Sequence, residues 1–291
     1  MGGRTEYALR FFRAAESRLP VGLGTVVGGV RRANLNAGDP RLLRLRELDH
    51  RSRAEGPGSI LSSWSIRRHY SEAELDAADL LHVRVHATFE PCGEQCGTEF
   101  DESTSCPSCG SGRRQVGPLV LDLRGHPEGW DAHTRPSPRG KDVSKTIAGE
   151  IVISTRFANL LREAGATGYA LGAIRQYRRT ETRRDWHQLL TTAPPVAIAP
   201  PTEVGVSPFD DDDAGEYVCP LGHVVGLNLI SELSVERAGW DGSDFIQTRE
   251  AVGVRRGYLM PEHPIIVSPR IGRLIRDNRI KGARLEVVNL T

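Results

Sequence analysis

Four of the chain's five cysteines lie in one short stretch, PCGEQCGTEFDESTSCPSCG, with the spacing C-x3-C-x9-C-x2-C. These cysteines are Cys92, Cys96, Cys106 and Cys109. Strand-like sequence on each side predicts a β-hairpin that brings the two pairs around one ion. Two disulfides are the alternative, but a chain kept in the cytosol normally has reduced thiols. We therefore predict a zinc ribbon in which four thiolates hold one structural zinc ion.

The sequence before the cysteines has the strongest strand pattern in the chain. In LLHVRVHATFE, residues 80–90, apolar side chains such as Leu81, Val83 and Val85 alternate with polar ones. This period of two is typical of a strand with one buried face and one polar face. His82 and His86 lie on the polar face, where we expect them to be solvated.

The second half of the chain repeats part of the first. Residues 150–171 align without gaps on residues 264–285, and each segment predicts a strand, a Ser N-cap, a helix, a Gly and another strand. Upstream, GWD occurs at 129–131 and 239–241, so Trp130 and Trp240 are predicted to be equivalent core residues. The predicted fold class is α+β: a zinc ribbon on a β-hairpin plus a duplicated strand-helix-strand unit, with mostly antiparallel sheets.

The fifth cysteine belongs to a motif that resembles the second cysteine pair. CPLGH at 219–223 aligns with CPSCG at 106–110, which makes Cys219 and His223 a candidate second metal-binding turn. No further ligand pair lies near them in the sequence, so we predict a degenerate turn that has lost its metal. The alternative, a Cys219 nucleophile with His223 as its base, fits the spacing of a turn poorly.

These patterns divide the chain into four regions. Residues 1–75 are basic and predicted to be helical or irregular, with a helix over 5–19 and irregular structure over 33–60. Residues 76–192 form the first α+β unit that contains the ribbon. Residues 193–215 form a linker rich in Pro and Asp, and residues 216–291 form the second, degenerate copy.

Charge and hydropathy narrow the classes of function. The net charge is +1, and no apolar run is long enough to span a membrane. The N-terminal residues do not have the pattern of a signal peptide, so we expect a cytoplasmic protein that does not bind membranes. Residues 1–70 carry 13 arginines against 6 acids, and the remainder is net negative. This division favours docking to a protein partner, with an acidic surface made of Asp210, Asp211, Asp212 and Asp213.

The chain shows no common catalytic motif. GxSxG, HExxH and a P-loop lysine are all missing from the sequence, and Glu181, Asp185 and His187 are explained by the solvated face of a predicted helix. We therefore expect a non-catalytic zinc-binding protein with a protein partner. The alternative is a zinc ribbon that binds nucleic acid through Arg113 and Arg114, although the acids of its own loop would repel phosphates. These patterns predict no oligomeric state.

Three segments resemble the double-CXXCG-motif family described from myxobacteria. They are Cys106-Pro-Ser-Cys109-Gly110, the strand-helix unit over 153–171, and the DWHQL segment at 185–189. The resemblance covers about residues 80–290. Because some members of that family are immunity proteins against toxins exchanged between neighbouring cells, it implies a protein partner of the toxin or effector type.

Overall fold

The structure is a computed structural model that describes residues 4–56, 58–123, 138, 140–209, 219–221, 223, 227–253 and 257–291. Within these ranges the α-helices are α1 (Arg41–Ala54), α2 (Glu72–Ala77), α3 (Thr155–Glu163) and α4 (Pro269–Asp277). Short 3₁₀ turns cover Arg13–Arg18, Glu94–Cys96 and Arg237–Gly239.

The strands fall into two halves of the chain. The first half contains β1 (Arg4–Phe11), β2 (Thr25–Val27), β3 (Val30–Asn36), β4 (Leu61–His69), β5 (Leu80–Val85), β6 (Thr88–Phe89), β7 (Glu99–Asp101), β8 (Arg114–Val116), β9 (Leu119–Leu121) and β10 (Val143–Thr146). The second half contains β11 (Ile151–Ser154), β12 (Tyr169–Gly172), β13 (Ile174–Gln176), β14 (Trp186–Thr191), β15 (Val204–Gly205), β16 (Asn228–Leu229), β17 (Leu233–Val235), β18 (Phe245–Gln247), β19 (Ile265–Val267) and β20 (Ala283–Leu290).

The larger sheets have the strand orders β2-β3-β1-β4, β12-β14-β11-β10-β6 and β17-β20-β5-β19-β18. Most neighbouring strands are antiparallel; β6–β10, β9–β13 and β17–β20 are parallel. The fold is therefore α+β with mostly antiparallel sheets, as the sequence predicts.

The basic N-terminal region folds differently from the prediction. Residues 5–19 do not form one helix: β1 runs through Arg4–Phe11 and pairs with both β3 and β4. Residues 33–60 are not irregular either, because they include the end of β3 and the whole of α1. Leu9, Phe11 and Leu45 are buried in a core between this sheet and α1.

The two five-stranded sheets and the helices α3 and α4 share one apolar core. It includes Val83 and Val85 from β5, Phe157 from α3 and Ile271 from α4. Four strands of each sheet have matching order and direction. In one sheet, β14 lies antiparallel between β12 and β11, and β10 pairs antiparallel with β11. In the other sheet, β5 lies antiparallel between β20 and β19, and β18 pairs antiparallel with β19. Strand β5 lies within residues 76–192, the predicted first unit. It nevertheless pairs with β19 and β20, which belong to the predicted second unit.

The two helices also begin in the same way. Ser154 caps α3 by accepting a hydrogen bond from the N–H of its third helical residue, and Ser268 caps α4 likewise. Each serine hydroxyl then donates to a buried aspartate, Asp142 at 3.0 Å and Asp244 at 2.7 Å. The caps satisfy backbone donors that would otherwise lack partners, so the predicted helix starts are confirmed.

A glycine follows each helix where two backbones come close together. Gly282 has φ +107°, and a Cβ there would lie 1.8 Å from the carbonyl oxygen of Val143. Gly168 has φ +77°, and a Cβ there would lie 2.2 Å from the carbonyl oxygen of Phe245. Both positions therefore require glycine, for its conformation and for the space.

We expect Gly282→Ala to lower the free energy of unfolding by at least about 2 kcal/mol, since it combines backbone strain with a clash against main chain. Gly117→Ala is the matched control, because Gly117 also has a left-handed φ of +76° but nothing lies within 4 Å of its would-be Cβ. Urea denaturation of both variants measures the difference. Equal losses in the two variants would show that the close approach to Val143 contributes nothing.

The predicted linker is packed against the protein in the part that the structure describes. Val196 is fully buried on the sheet that contains β5, and its N–H donates to the carbonyl of Gln247 at 3.0 Å. Phe209 is buried in the N-terminal core. Trp240 is partly buried, but its predicted counterpart Trp130 and the acidic run Asp210–Asp213 lie outside the described residues.

His82 is buried, in contrast to the solvated position that we predicted for it. Its strand, β5, is the third of five, and its side chain is 9% exposed. Burial lowers the pKa of His82 to about 4, so the imidazole is neutral at physiological pH. The alternating pattern located the polar face of the strand correctly, but β4 and the neighbouring loops cover that face.

Candidate metal centre

Cys106 and Cys109 lie in the loop that connects β7 to β8. The loop closes on itself through two hydrogen bonds of 2.7 Å, from the N–H of Cys106 to the carbonyl of Ser111 and from the N–H of Gly110 to the carbonyl of Cys106. Gly110 has φ +69°, a conformation that favours glycine. The CPSCG sequence thus forms a tight turn with both sulfurs on the same side.

A second turn, from Cys219 to His223, lies against the first. The N–H of Cys219 donates to the carbonyl of His223 at 2.7 Å, and the N–H of Leu221 lies 3.4 Å from the Cys219 sulfur. A backbone N–H directed at sulfur stabilises a thiolate. The CPLGH turn therefore presents a sulfur and an imidazole together.

The two turns bring four potential ligands together. The sulfurs of Cys106, Cys109 and Cys219 and a ring nitrogen of His223 all lie within 4.8 Å of one another. The Cys106 and Cys219 sulfurs are 3.5 Å apart, and the Cys109 sulfur is 3.5 Å from His223 Nδ1. The three cysteines are buried and His223 is exposed. This group could hold a metal ion.

The protonation of the thiols differs within the cluster. Burial raises the pKa of Cys106, but hydrogen bonds from backbone N–H groups of Cys109 and Ser108 and from the neighbouring thiols outweigh it and lower the pKa to about 7. The N–H of Leu221 lowers the pKa of Cys219, but burial and the adjacent sulfurs outweigh that hydrogen bond and raise it. One sulfur is therefore ready to ionise at neutral pH, as a metal ligand must.

Cys92 and Cys96 do not join this group. Cys92 precedes a 3₁₀ turn that ends at Cys96, and the N–H of Cys96 donates to the carbonyl of Cys92 at 3.2 Å. Burial raises the pKa of Cys92 and raises that of Cys96 to about 11, so both thiols are protonated at neutral pH. The predicted set of four cysteines is therefore not the set that the structure brings together, and only its second pair belongs to the cluster.

The other candidate residues have ordinary contacts. Asp185 pairs with Arg183 at 2.5 Å, and His187 Nε2 lies 3.2 Å from the Thr155 hydroxyl. His187 belongs to β14, so the predicted helix over this segment is wrong. Cys219 and His223 each contact a cysteine of the other turn, which places the alternative nucleophile and base inside the group that could hold a metal.

Sequence reasoning treated Cys219 and His223 as a turn without metal because no ligand pair is near them in the chain. The signal that would have identified the group is the number of potential metal ligands in the two similar motifs, CPSCG and CPLGH, taken together. A C-x2-C turn and a C-x3-H turn that start with the same Cys-Pro together supply four ligands. The sequence favoured Cys92 and Cys96 as the other two ligands because they lie much closer to Cys106 in the chain than Cys219 and His223 do.

No protein-family model matches the chain, and no curated protein sequence matches it. In the part of the chain that the structure describes, none of the helices has the length and apolar character needed to cross a membrane.

Proposed function

We propose that the chain is a non-catalytic binding protein in which one structural zinc ion joins two distant turns. The observation that carries this proposal is the group of three buried sulfurs and one imidazole nitrogen contributed by residues 106–109 and 219–223. Cys3His is a common ligand set for structural zinc, and it leaves no open position for water or substrate.

The distances fit a tetrahedral zinc site. Zn–S bonds of about 2.3 Å place two sulfur ligands roughly 3.8 Å apart. The Cys106 and Cys219 sulfurs are 3.5 Å apart, so a small outward adjustment would complete the coordination. Zinc would then tie the β7–β8 hairpin to the turn at Cys219, more than a hundred residues further along the chain.

The surroundings of Cys219 and His223 argue against a role for them as nucleophile and base. A cysteine nucleophile needs a lowered pKa and a base that is free to take its proton. The pKa of Cys219 is raised, and the Nδ1 atom of His223 is directed at Cys109. These two residues are better suited to binding a metal than to attacking a substrate.

The contacts of Arg113 and Arg114 favour a protein partner over nucleic acid. Arg113 pairs with Glu94 at 2.5 Å and lies over the ring of Phe100 at 4.2 Å. Arg114 pairs with Asp101 at 3.3 Å. Arg113 is paired with an acid that precedes the hairpin and Arg114 with an acid on β7, so neither arginine offers an unpaired charge to a phosphate.

The proposed partner is a protein of the toxin or effector type, bound in the cytoplasm, where free thiols stay reduced. The resemblance to the double-CXXCG-motif family supports this class of partner. The matching sheets and helix caps support a second part of the proposal, that the two α+β units arose by duplication.

Reversal of all four residues Asp210–Asp213 to Lys is expected to weaken partner binding without changing zinc content or melting temperature. The reason is that the proposed interface depends on charge, while the four aspartates are not among the proposed zinc ligands. Affinity capture from native lysate, followed by mass spectrometry of the bound proteins, measures the effect.

Replacement of the same four residues by Asn is the matched control for charge reversal, and it should give an intermediate loss. If the Lys variant captures as much of the partner as the unaltered chain, residues 210–213 do not contribute to the interface. Recovery of DNA or RNA in place of a protein, with binding that weakens steeply as salt increases, would favour the nucleic-acid alternative.

A further inference from the structure

A cavity of about 580 Å³ lies between the N-terminal sheet and the sheet that contains β5. One wall is formed by consecutive residues of β4, from Leu61 to Ser65, and the opposite wall includes His82, Val83 and Arg84 of β5. Clefts that bind small organic molecules fall in this range of volume and often lie between packed units. The cavity is separate from the metal cluster, which shares none of its lining residues.

His82 is an unusual residue in the wall of this cavity. Its side chain is buried, and its Nδ1 atom has no hydrogen-bond partner among the residues that the structure describes. Buried polar groups are nearly always paired, because leaving one without a partner costs about 1–3 kcal/mol. An unpaired buried nitrogen therefore calls for an explanation, and a bound group that pairs with it is one.

The charged side chains that line the cavity, counted together with their ion-pair partners outside the lining, leave an excess of positive charge. Arg53 lines the cavity and is paired with buried Asp49 at 2.7 Å. Lys145 pairs with Glu262 at 2.5 Å, which offsets both charges. Glu286 accepts from Arg68 at 2.9 Å and lies 3.4 Å from Arg84, so one carboxylate serves two guanidinium groups. Arg84 is 38% exposed and is a lining residue. The local excess of one positive charge suits a ligand with a single negative group.

The rest of the lining is partly apolar. The half-buried indole of Trp64 lines the cavity on the β4 side, and Val85 and Ile151 line it on the other. Ser63 and Ser65, on either side of Trp64 in β4, are exposed residues that also line the cavity. An aromatic side chain on one wall and a guanidinium group on the other suit a molecule with an aromatic body and an anionic head.

We propose that this cavity binds a small organic anion with an aromatic body, whose negative group pairs with Arg84 and whose ring packs against Trp64. The site goes beyond partner binding and does not depend on the metal. His82 contributes a neutral imidazole to the wall, so the positive charge comes from Arg84.

Titration of the full chain with 8-anilinonaphthalene-1-sulfonate tests the proposal, because this probe has both an aromatic body and one anionic group. We expect saturable fluorescence at one probe per chain, with energy transfer from Trp64 that is lost in Trp64→Phe. We expect Arg84→Met to weaken binding by at least about tenfold, the loss of one charge-assisted hydrogen bond. Arg84→Lys should recover part of the affinity because it keeps the charge.

Arg273→Met is the matched control, since Arg273 is exposed on α4 and does not line the cavity. Its affinity should equal that of the unaltered chain, and circular dichroism should show that both variants are folded. The uncharged analogue 1-anilinonaphthalene should bind at least about tenfold more weakly. Equal affinity in the Arg84→Met and Arg273→Met variants, or several equivalent probes per chain, would overturn the proposal.

Discussion

Cys219→Ser is expected to abolish zinc binding and to lower the melting temperature by about 5 °C or more. Structural zinc contributes on the order of 10 kcal/mol to the folding of small zinc domains, and a site with three ligands and a hydroxyl holds it far less tightly. Among the described residues, the buried cluster at the proposed metal site consists of Cys106, Cys109 and Cys219 alone, so we expect the metal to be the main link between the two turns. Plasma mass spectrometry of the desalted protein measures zinc, and differential scanning calorimetry measures the melting temperature.

Cys92→Ser and Cys96→Ser are matched controls for the loss of a buried thiol. Both variants should retain one zinc per chain, because neither sulfur belongs to the cluster. If Cys92→Ser loses the metal while Cys219→Ser retains it, the four-cysteine ribbon predicted from the sequence is the real site.

Arg68→Met should be the most destabilising single change outside the metal centre. Arg68 is buried on β4, where it pairs with buried Glu286 at 2.9 Å and donates to the carbonyl of Ile230 at 2.5 Å. Removing Arg68 leaves the buried Glu286 with only the longer, partly exposed pair to Arg84 at 3.4 Å, and breaking a buried pair in this way costs about 3–5 kcal/mol. Urea denaturation should show this loss, since Arg68 links the N-terminal sheet to β20.

The neighbouring residue provides the control. Arg67 is exposed on the same strand, so Arg67→Met should change the free energy of unfolding by less than about 0.5 kcal/mol. The double variant Arg68→Met with Glu286→Gln should recover part of the stability, because it removes both charges. Similar losses in the Arg67 and Arg68 variants would contradict a buried pair.

Local sequence signals predicted the elements that depend on neighbouring residues. Ser154 and Ser268 cap the helices that their sequences predict, and the CPSCG turn forms at Cys106. The N-terminal segment, residues 5–19, has apolar residues at both helical and strand spacings. Phe11 belongs both to a helical spacing with Ala15 and to a strand alternation with Leu9, and pairing with β3 and β4 decides for the strand.

Long-range contacts account for what the sequence did not predict. The burial of His82 depends on β4 and on loops that are distant in the chain, so alternation along β5 identifies only the polar face. The cluster likewise depends on a contact between residues 113 positions apart, Cys106 and Cys219. The C-x3-C pair close to CPSCG made a four-cysteine site the simpler prediction from the sequence. In the structure, Cys92 and Cys96 are not part of the cluster.

X-ray absorption spectroscopy at the zinc edge tests the proposed centre most directly, because it counts sulfur and nitrogen ligands. With Cys106, Cys109, Cys219 and His223 as ligands, we expect three sulfurs at about 2.3 Å and one imidazole nitrogen at about 2.0 Å. His223→Cys should change this to four sulfurs while retaining the metal. Four sulfurs and no imidazole in the unaltered protein would contradict the Cys3His centre, and so would a purified protein without zinc.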